Sequence, residues 1–316
     1  MNRFCIFPIV DMDVWQLYKK QVHSLWFPDE IDFSDDYRGY KTLDDDHKHS
    51  LKMILAFFAN SDGLVNFNIQ QNLLNEFDEE IKYTYVFQMF MEQIHNETYS
   101  IMIETLIRDT EEKNQLFNSI QNIPIIKKIS EWGLEYSKGD YSLCEKLLVF
   151  ICFEGIMFSG AFAVIFWLKK FSSKGQTFMN GLIKSNEFIS RDEGMHLEFG
   201  VKIFLRQMAK DILPFDKIEK IIIEAVNLTK EFNNDFIKSD MIGLSNNTMN
   251  QYTEYMTDRI YVMLGYEKYY KVENPFTFMD TIGMMQKTNF HESIPTEYQK
   301  AGFTKSITFC DNTDDF

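Results

Sequence analysis

The stretch Glu92-Gln-Ile-His95-Asn-Glu-Thr-Tyr99 decides the fold, because a second segment, Glu193-Gly-Met-His196, repeats its first four positions. On a helix, residues three and four apart share one face. Glu92 and His95 therefore point at one place, with Tyr99 a turn further along, and Glu193 and His196 make the same pair elsewhere. The surroundings of both segments are helical in pattern. Asp78, with Glu79 and Glu80 in the first turn where the helix dipole favours negative charge, opens a helix predicted to run to about Arg108. A second predicted helix runs from Thr177 to about Met208.

Two further segments carry single acids inside apolar helices. From Asp44 to about Phe77 the residues Leu51, Ile54, Leu55, Phe58 and Asp62 fall on one side, so Asp62 points where the apolar face points. The run Leu147 to Leu168, LLVFICFEGIMFSGAFAVIFWL, contains Glu154. A buried carboxylate is costly unless it is paired or bound to a metal. Two Glu-x-x-His pairs with one carboxylate from each of two more helices are the ligand set of dimetal carboxylate sites in ferritin-like bundles. Hard carboxylate oxygens and imidazole nitrogens suit iron or manganese, and the absence of a thiolate argues against copper(I) and iron-sulfur clusters. One Glu-x-x-His alone arises readily by chance on a solvated helix; the conjunction of two pairs and two acids carries the argument. The cluster Asp44-Asp45-Asp46-His47-Lys48-His49 reads as ordinary helix capping at the surface.

Composition sets the frame. The 316 residues are 45% apolar and 16% aromatic, enough for a large core in one large or two ordinary domains, and only 14 Gly and 6 Pro favour long helices over a many-stranded sheet. A formal charge of −15 argues against nucleic acid or an anionic membrane surface as partner. The cysteines Cys5, Cys144, Cys152 and Cys310 have neither C-x-x-C nor zinc-type spacing and suit a reducing cytosol, so a cytoplasmic location is expected. The N-terminus lacks the pattern of a signal peptide. Leu147 to Leu168 is long enough to span a bilayer, but Glu154 would lie near the hydrocarbon centre at a cost of roughly 2.5 to 3.5 kcal/mol or more; the core of a large bundle is the better reading.

Elsewhere, helices are predicted at 13–26, then, after a loop with Pro28, Asp29, Asp32, Asp35 and Asp36, at 111–121 and 125–138, split by Pro124. The apolar helix is predicted over 142–170, and amphipathic helices over 215–238 and 246–264. Beyond Pro275 the helical period fades, and the acidic end FCDNTDDF reads as a mobile tail.

The strings FFANSDG (57–63), EQIHNETY (92–99), FEGIMFSGAFAVIFWLKK (153–170) and NEFISRDEGMH (186–196) resemble the small subunit of class I ribonucleotide reductase, in its eukaryotic and viral branch. NPFTFM (274–279), KTNF (287–290), EYQKAG (297–302) and an acidic tail ending in Phe316 extend the resemblance over nearly the whole sequence. It implies an all-α, ferritin-like bundle over residues 1–280 and a flexible C-terminal tail over 281–316 that binds the large subunit. It also implies a homodimer holding two iron ions per chain, bridged by oxo and carboxylate groups, with manganese possible. Asp62, Glu92 and His95 would bind one metal and Glu154, Glu193 and His196 the other, with Glu92 among the bridges. Tyr99 matches the tyrosine that O₂ activation converts to a radical, and Phe158, Phe162 and Ile189 match its apolar pocket. Trp26, Asp192 and Tyr298 match the path that passes the oxidising equivalent to the large subunit, where ribonucleotides are reduced to deoxyribonucleotides. Phe67 stands where mammalian-type relatives usually have Glu, and His291 replaces a Phe; neither is a ligand position. Two other functions are compatible with the same residues: another oxygen-activating dimetal oxidase in which Tyr99 is only packing, and a non-catalytic interaction subunit.

Overall fold

The computed structural model describes residues 4–172, 179–238 and 244–279, and no β-strand occurs among them. The protein divides into two units, Met1–Phe276 and Thr277–Phe316, and nearly all of the second lies outside the described residues. The tail expected over 281–316, with Tyr298 and His291, therefore falls outside them as well.

Twelve helices make up the described part of the first unit: α1 (Met12–Val22), α2 (Asp36–Lys41), α3 (Asp45–Asn68), α4 (Glu79–Leu106), α5 (Thr110–Phe117), α6 (Ser119–Asn122), α7 (Pro124–Lys138), α8 (Leu143–Cys152), α9 (Phe158–Ser172), α10 (Asn180–Met208), α11 (Phe215–Phe236) and α12 (Asn246–Met263). Their starts follow local chemistry. The carboxylates of Asp11, Asp44 and Asp109 accept the backbone N–H of Val14, His47 and Glu112, and Ser142 with Glu145 forms a capping box at α8. Asp44 thus caps α3, as its cluster suggested, with its side chain mostly in solvent.

Several boundaries differ from the sequence expectation. The first helix ends at Val22, not 26, so Trp26 lies in the segment after it. Inside the expected loop, α2 forms and supplies Asp36, whose buried carboxylate accepts the N–H groups of Gly181 (3.0 Å) and Leu182 (2.6 Å) in the first turn of α10. The segment expected as one helix at 111–121 is two, because Ser119 is tied to α3: its hydroxyl donates to Ala56 O and accepts from Asn60. After α3 the backbone continues as a π-helical turn, Ile69–Leu73, and α8 and α9 are joined by another, Phe153–Met157, which contains Glu154.

The principal packing is α3 on α4, with α10 against α8, α9 and α4, and α11 against α8 and α12. The stretch Leu143–Lys169 is long and apolar enough to cross a membrane, yet its apolar window is wholly buried within the fold. It is the central rod of the bundle. Each fully buried Leu, Ile, Val or Phe along it is worth roughly 1.5–3 kcal/mol relative to exposure. Close approach is needed at the start of α10, where a Cβ on Gly181 would lie 2.5 Å from the Phe33 ring and 2.8 Å from the backbone oxygen of Asp32. Backbone cannot step aside cheaply. Gly181→Ala is expected to lower the free energy of unfolding by about 1–3 kcal/mol in a denaturant titration, whereas Gly63→Ala, with open space around its Cβ, is expected to be neutral or stabilising.

Candidate metal centre

Four elements converge on one point in the bundle. Asp62 comes from α3, Glu92 and His95 from α4, Glu154 from the π-helical turn, and Glu193 and His196 from α10. None of the six is more than 4% exposed. Their ligand atoms form two overlapping groups, Asp62–Glu92–His95 and Glu92–Glu154–Glu193–His196, within each of which the chosen atoms lie within 4.8 Å of one another. Glu92 belongs to both. His95 Nδ1 lies 3.3 Å from Glu92 Oε2 and 3.1 Å from Glu193 Oε1, and His196 Nδ1 lies 3.0 Å from Glu92 Oε1 and 2.9 Å from Glu193 Oε2.

The electrostatics describe a site short of positive charge. Burial, reinforced by the charges of Glu92 and Glu193, pushes the Asp62 carboxyl well above its usual range. Burial and the neighbouring Glu193 do the same to Glu154. Burial opposes charge on the histidines, but is outweighed by their hydrogen bonds and the surrounding acids. His95 is held well above the normal imidazole value and His196 is raised to about 9. Among the described residues no Lys or Arg pairs with any of the four acids, and both oxygens of Asp62, Glu92 Oε2 and Glu154 Oε2 have no hydrogen-bond partner. Four converging carboxylates with orphaned oxygens and two imidazoles fit a pair of divalent cations: two such charges match four carboxylates, and the donor set is that of iron or manganese.

Around this core the other expected residues fall in two places. Asp192, on α10, is buried and accepts from Trp26 Nε1 at 2.7 Å, and the same Oδ2 lies 3.3 Å from His95 Nε2. Trp26, Asp192 and His95 are thus linked through one oxygen atom. Tyr99 is 1% exposed, its hydroxyl has no partner, and its ring stacks on Phe58 at 4.7 Å. Phe58 in turn touches Phe162 (4.8 Å) and Phe158 (5.6 Å), while Ile189 is fully buried on α10. Burial first, and then the charge of Asp62, pushes the Tyr99 phenol well above its ordinary value, so it is a neutral phenol. Phe67 lies beneath the Lys138 ammonium, 5.4 Å from it.

Three contributors were not assigned from sequence. Gln88 donates to Glu92 Oε1 (3.2 Å) and Glu154 Oε1 (3.4 Å); its position four residues before Glu92 was the available signal. Arg191 donates through Nε and Nη2 to Asp192 Oδ1 and through Nη2 to Ser24 O. Successive residues on a helix do not share a face, so no spacing rule marks it. Phe58 was visible only as one of an apolar face.

The shared position of Glu92 has a measurable consequence. Metal-free protein titrated with Fe(II) or Mn(II) under anaerobic conditions is expected to gain thermal stability, because the ions bind only the folded state. Asp62→Ala is expected to retain about one metal per chain, and Glu92→Ala to lose tight binding of both, by roughly a factor of ten to a hundred or more in affinity. Metal analysis after gel filtration checks the difference.

Comparison with known proteins completes the account. The family described as "Ribonucleotide reductase, small chain" matches residues 3–275. The sequence is 42% identical to the ribonucleoside-diphosphate reductase small chain of Trypanosoma brucei brucei, covering 96% of the present protein and 89% of the trypanosome one. It is 43% identical to the ribonucleoside-diphosphate reductase small chain of Yaba-like disease virus, covering 95% of the present protein and 91% of the viral one. Among solved structures, the ribonucleotide reductase Rnr4 homodimer of Saccharomyces cerevisiae is similar at 31% identity and a TM-score of 0.75, covering 90% of each protein. With its sequence matched almost end to end and its acids and histidines gathered at the centre of the bundle, the chain belongs to the ribonucleotide reductase small-chain family.

Proposed function

We propose that the buried cluster holds two iron ions, with Asp62, Glu92 and His95 on one and Glu154, Glu193 and His196 on the other, and that Tyr99 carries the oxidising equivalent the centre produces from O₂. The protein is the small subunit of a ribonucleoside-diphosphate reductase. The observation that carries the assignment is the pair of overlapping ligand groups sharing Glu92, with orphaned carboxylate oxygens in both. A redox-active metal pair held by these residues would supply two of the four electrons needed to reduce O₂ to the water level and the oxidising power that takes a third from Tyr99, with an external reductant giving the fourth. Manganese accepts the same donors, and metal analysis of the native protein separates the two.

The protein's own residues do the rest. Gln88 holds one oxygen each of Glu92 and Glu154, leaving Glu154 Oε2 without a hydrogen-bond partner and Glu92 Oε2 facing the His95 ring at 3.3 Å. Phe58 stacks on Tyr99 and is itself backed by Phe158 and Phe162, an apolar surrounding that excludes water and slows side reactions of an oxidised phenol. Because the phenol is neutral at rest, it must give up its proton together with its electron. Trp26, Asp192 and His95 form the inner part of the outgoing path. Arg191 holds Asp192 by its other oxygen, so that Oδ2 faces both Trp26 and His95. The outer part runs through Tyr298 in the C-terminal tail, residues 281–316, which docks on the large subunit in the cytoplasm.

The working unit is a homodimer joined through the outer face of α4. Tyr83, Val86 and Phe90 are exposed there at helical spacing, and the exposed Phe90 touches Phe27. Such a stripe is an interaction surface on a soluble helix. Val86→Asp with Phe90→Asp is expected to give a monomer by analytical ultracentrifugation with its metal content unchanged.

Tyr99→Phe tests the central assignment. Its hydroxyl makes no hydrogen bond, so its removal should leave stability within about 1 kcal/mol. The variant should keep both metals, show no tyrosyl signal by low-temperature EPR after Fe(II) and O₂, and support no ribonucleotide reduction with the large subunit. A wild-type protein that binds two irons, consumes O₂ and shows no tyrosyl signal would sink the radical assignment.

A further inference from the structure

Aromatic rings in mutual contact run from the surface to the cluster. Tyr141 stands at the outer end, half-buried just beyond α7, and its hydroxyl donates to the exposed Glu135 at 3.0 Å. Its ring meets Tyr136 at 4.4 Å, Tyr136 meets Trp132 at 5.5 Å, and Trp132 meets Phe153 at 5.8 Å between centroids. Phe153 is joined by the peptide bond to Glu154, a candidate ligand. It also touches Phe158 at 6.2 Å, which touches Phe58 at 5.6 Å, the ring stacked on Tyr99. Every link to the cluster and to Tyr99 is a ring contact or a covalent bond.

The outer part of this lane has features that packing alone does not require. Trp and Tyr rings give up single electrons far more readily than Phe, and here they are consecutive. Losing an electron makes the indole N–H or phenol O–H strongly acidic, so a proton acceptor must be at hand. One atom serves both buried rings: Glu224 Oε2, on α11, accepts from Trp132 Nε1 and from the Tyr136 hydroxyl, each at 3.0 Å. Bare backbone lets the rings close up. A Cβ on Gly139 would lie 2.6 Å from the Tyr141 ring, and one on Gly133 would lie 3.0 Å from the Phe153 ring.

We propose that Tyr141, Tyr136 and Trp132 form an electron inlet to the dimetal centre, separate from the Trp26 path, that takes single electrons from a hydroquinone-class donor at the surface. The proposal rests on the cluster reacting with O₂ and oxidising Tyr99, and it adds where the external electron enters. Trp132 gives one electron inward, to the metals through Phe153 and Glu154 or to oxidised Tyr99 through Phe158 and Phe58, and its Nε1 proton passes to Glu224 Oε2. Tyr136 then gives an electron to Trp132, which recovers that proton, while the Tyr136 proton takes its place on the same oxygen. Tyr141 refills Tyr136 in the same way and leaves its own proton on Glu135. The donor loses one electron to Tyr141 and one proton to solvent, Glu135 returns its proton, and no side chain is changed at the end.

Two measurements test it. In metal-free protein with Cys5→Ser and Cys310→Ser, a ruthenium photo-oxidant is attached at Asp140→Cys, an exposed position beside Tyr141. A flash should give a phenoxyl absorption and then an indolyl one. Trp132→Phe should abolish the indolyl signal, and Tyr136→Phe should cut its yield about tenfold. In iron-loaded protein carrying the Tyr99 radical, hydroquinone added without O₂ should remove the EPR signal. Each variant should slow that loss about tenfold, equivalent to roughly 1.4 kcal/mol on the transfer barrier, with iron content unchanged. Tyr136→Phe keeps its ring and loses only a hydroxyl, so it folds even if Trp132→Phe does not. An undiminished indolyl yield in Tyr136→Phe, or radical loss at the wild-type rate, overturns the proposal. Failure of the underlying reading looks different: iron-loaded wild-type protein would then show no radical to remove, while the flash experiment on metal-free protein would be unaffected.

Discussion

Four carboxylates forced together out of reach of water are the constraint on which the structure depends. Asp62, Glu92, Glu154 and Glu193 have no Lys or Arg partner among the described residues, and two histidines cannot neutralise them. In a protein without metal, burial and the neighbouring acids push the Asp62 and Glu154 carboxyls well above their usual range. The surrounding rod of apolar residues, Leu143–Lys169, offsets that cost through burial and holds the acids in place until cations arrive. Stability and function are thus set against each other at a single point, as functional sites commonly are.

Local backbone irregularity serves the same end. Glu154 does not sit on regular α-helix but in a π-helical turn, Phe153–Met157, between α8 and α9. A π turn inserts one extra residue into the helical count and rotates the residues beyond it, a device frequent at functional sites. Around it the bundle closes tightly: a Cβ on Gly155 would lie 2.5 Å from Ile260 Cδ1, so α12 approaches this turn where the backbone is bare. The acid faces inward while the rod stays continuous and buried on all sides.

Much of this was legible in the sequence, and the features that were missed have a physical cause. Regular spacing marked α3, α4, the central rod and α10, because a face repeats every three to four residues whatever it packs against. It also brought Asp62, Glu92, His95, Glu154, Glu193 and His196 into consideration as one set, and the structure does gather them. The π turns were invisible, since periodicity assumes a constant helical pitch. Helix α2 was invisible because its reason for existing is distant: Asp36 supplies the first turn of α10, far along the sequence. Arg191 and Gln88 were overlooked as polar residues of ordinary helices, because the carboxylate each one meets is the thing that distinguishes them.

A single face of α3 shows how the requirements of such a site are reconciled. Phe58, Asp62 and Val65 follow one another at four and three residues, so they form one line along the helix. Phe58 stacks on Tyr99, Asp62 joins the cluster, and Val65 returns to the apolar core one turn beyond that acid. A ring packed on a buried phenol needs apolar neighbours, whereas a buried carboxylate needs counter-charge within reach. Setting the two one turn apart on α3 keeps each in the surroundings it requires. The order of three side chains on α3 is therefore the arrangement the opposing demands require.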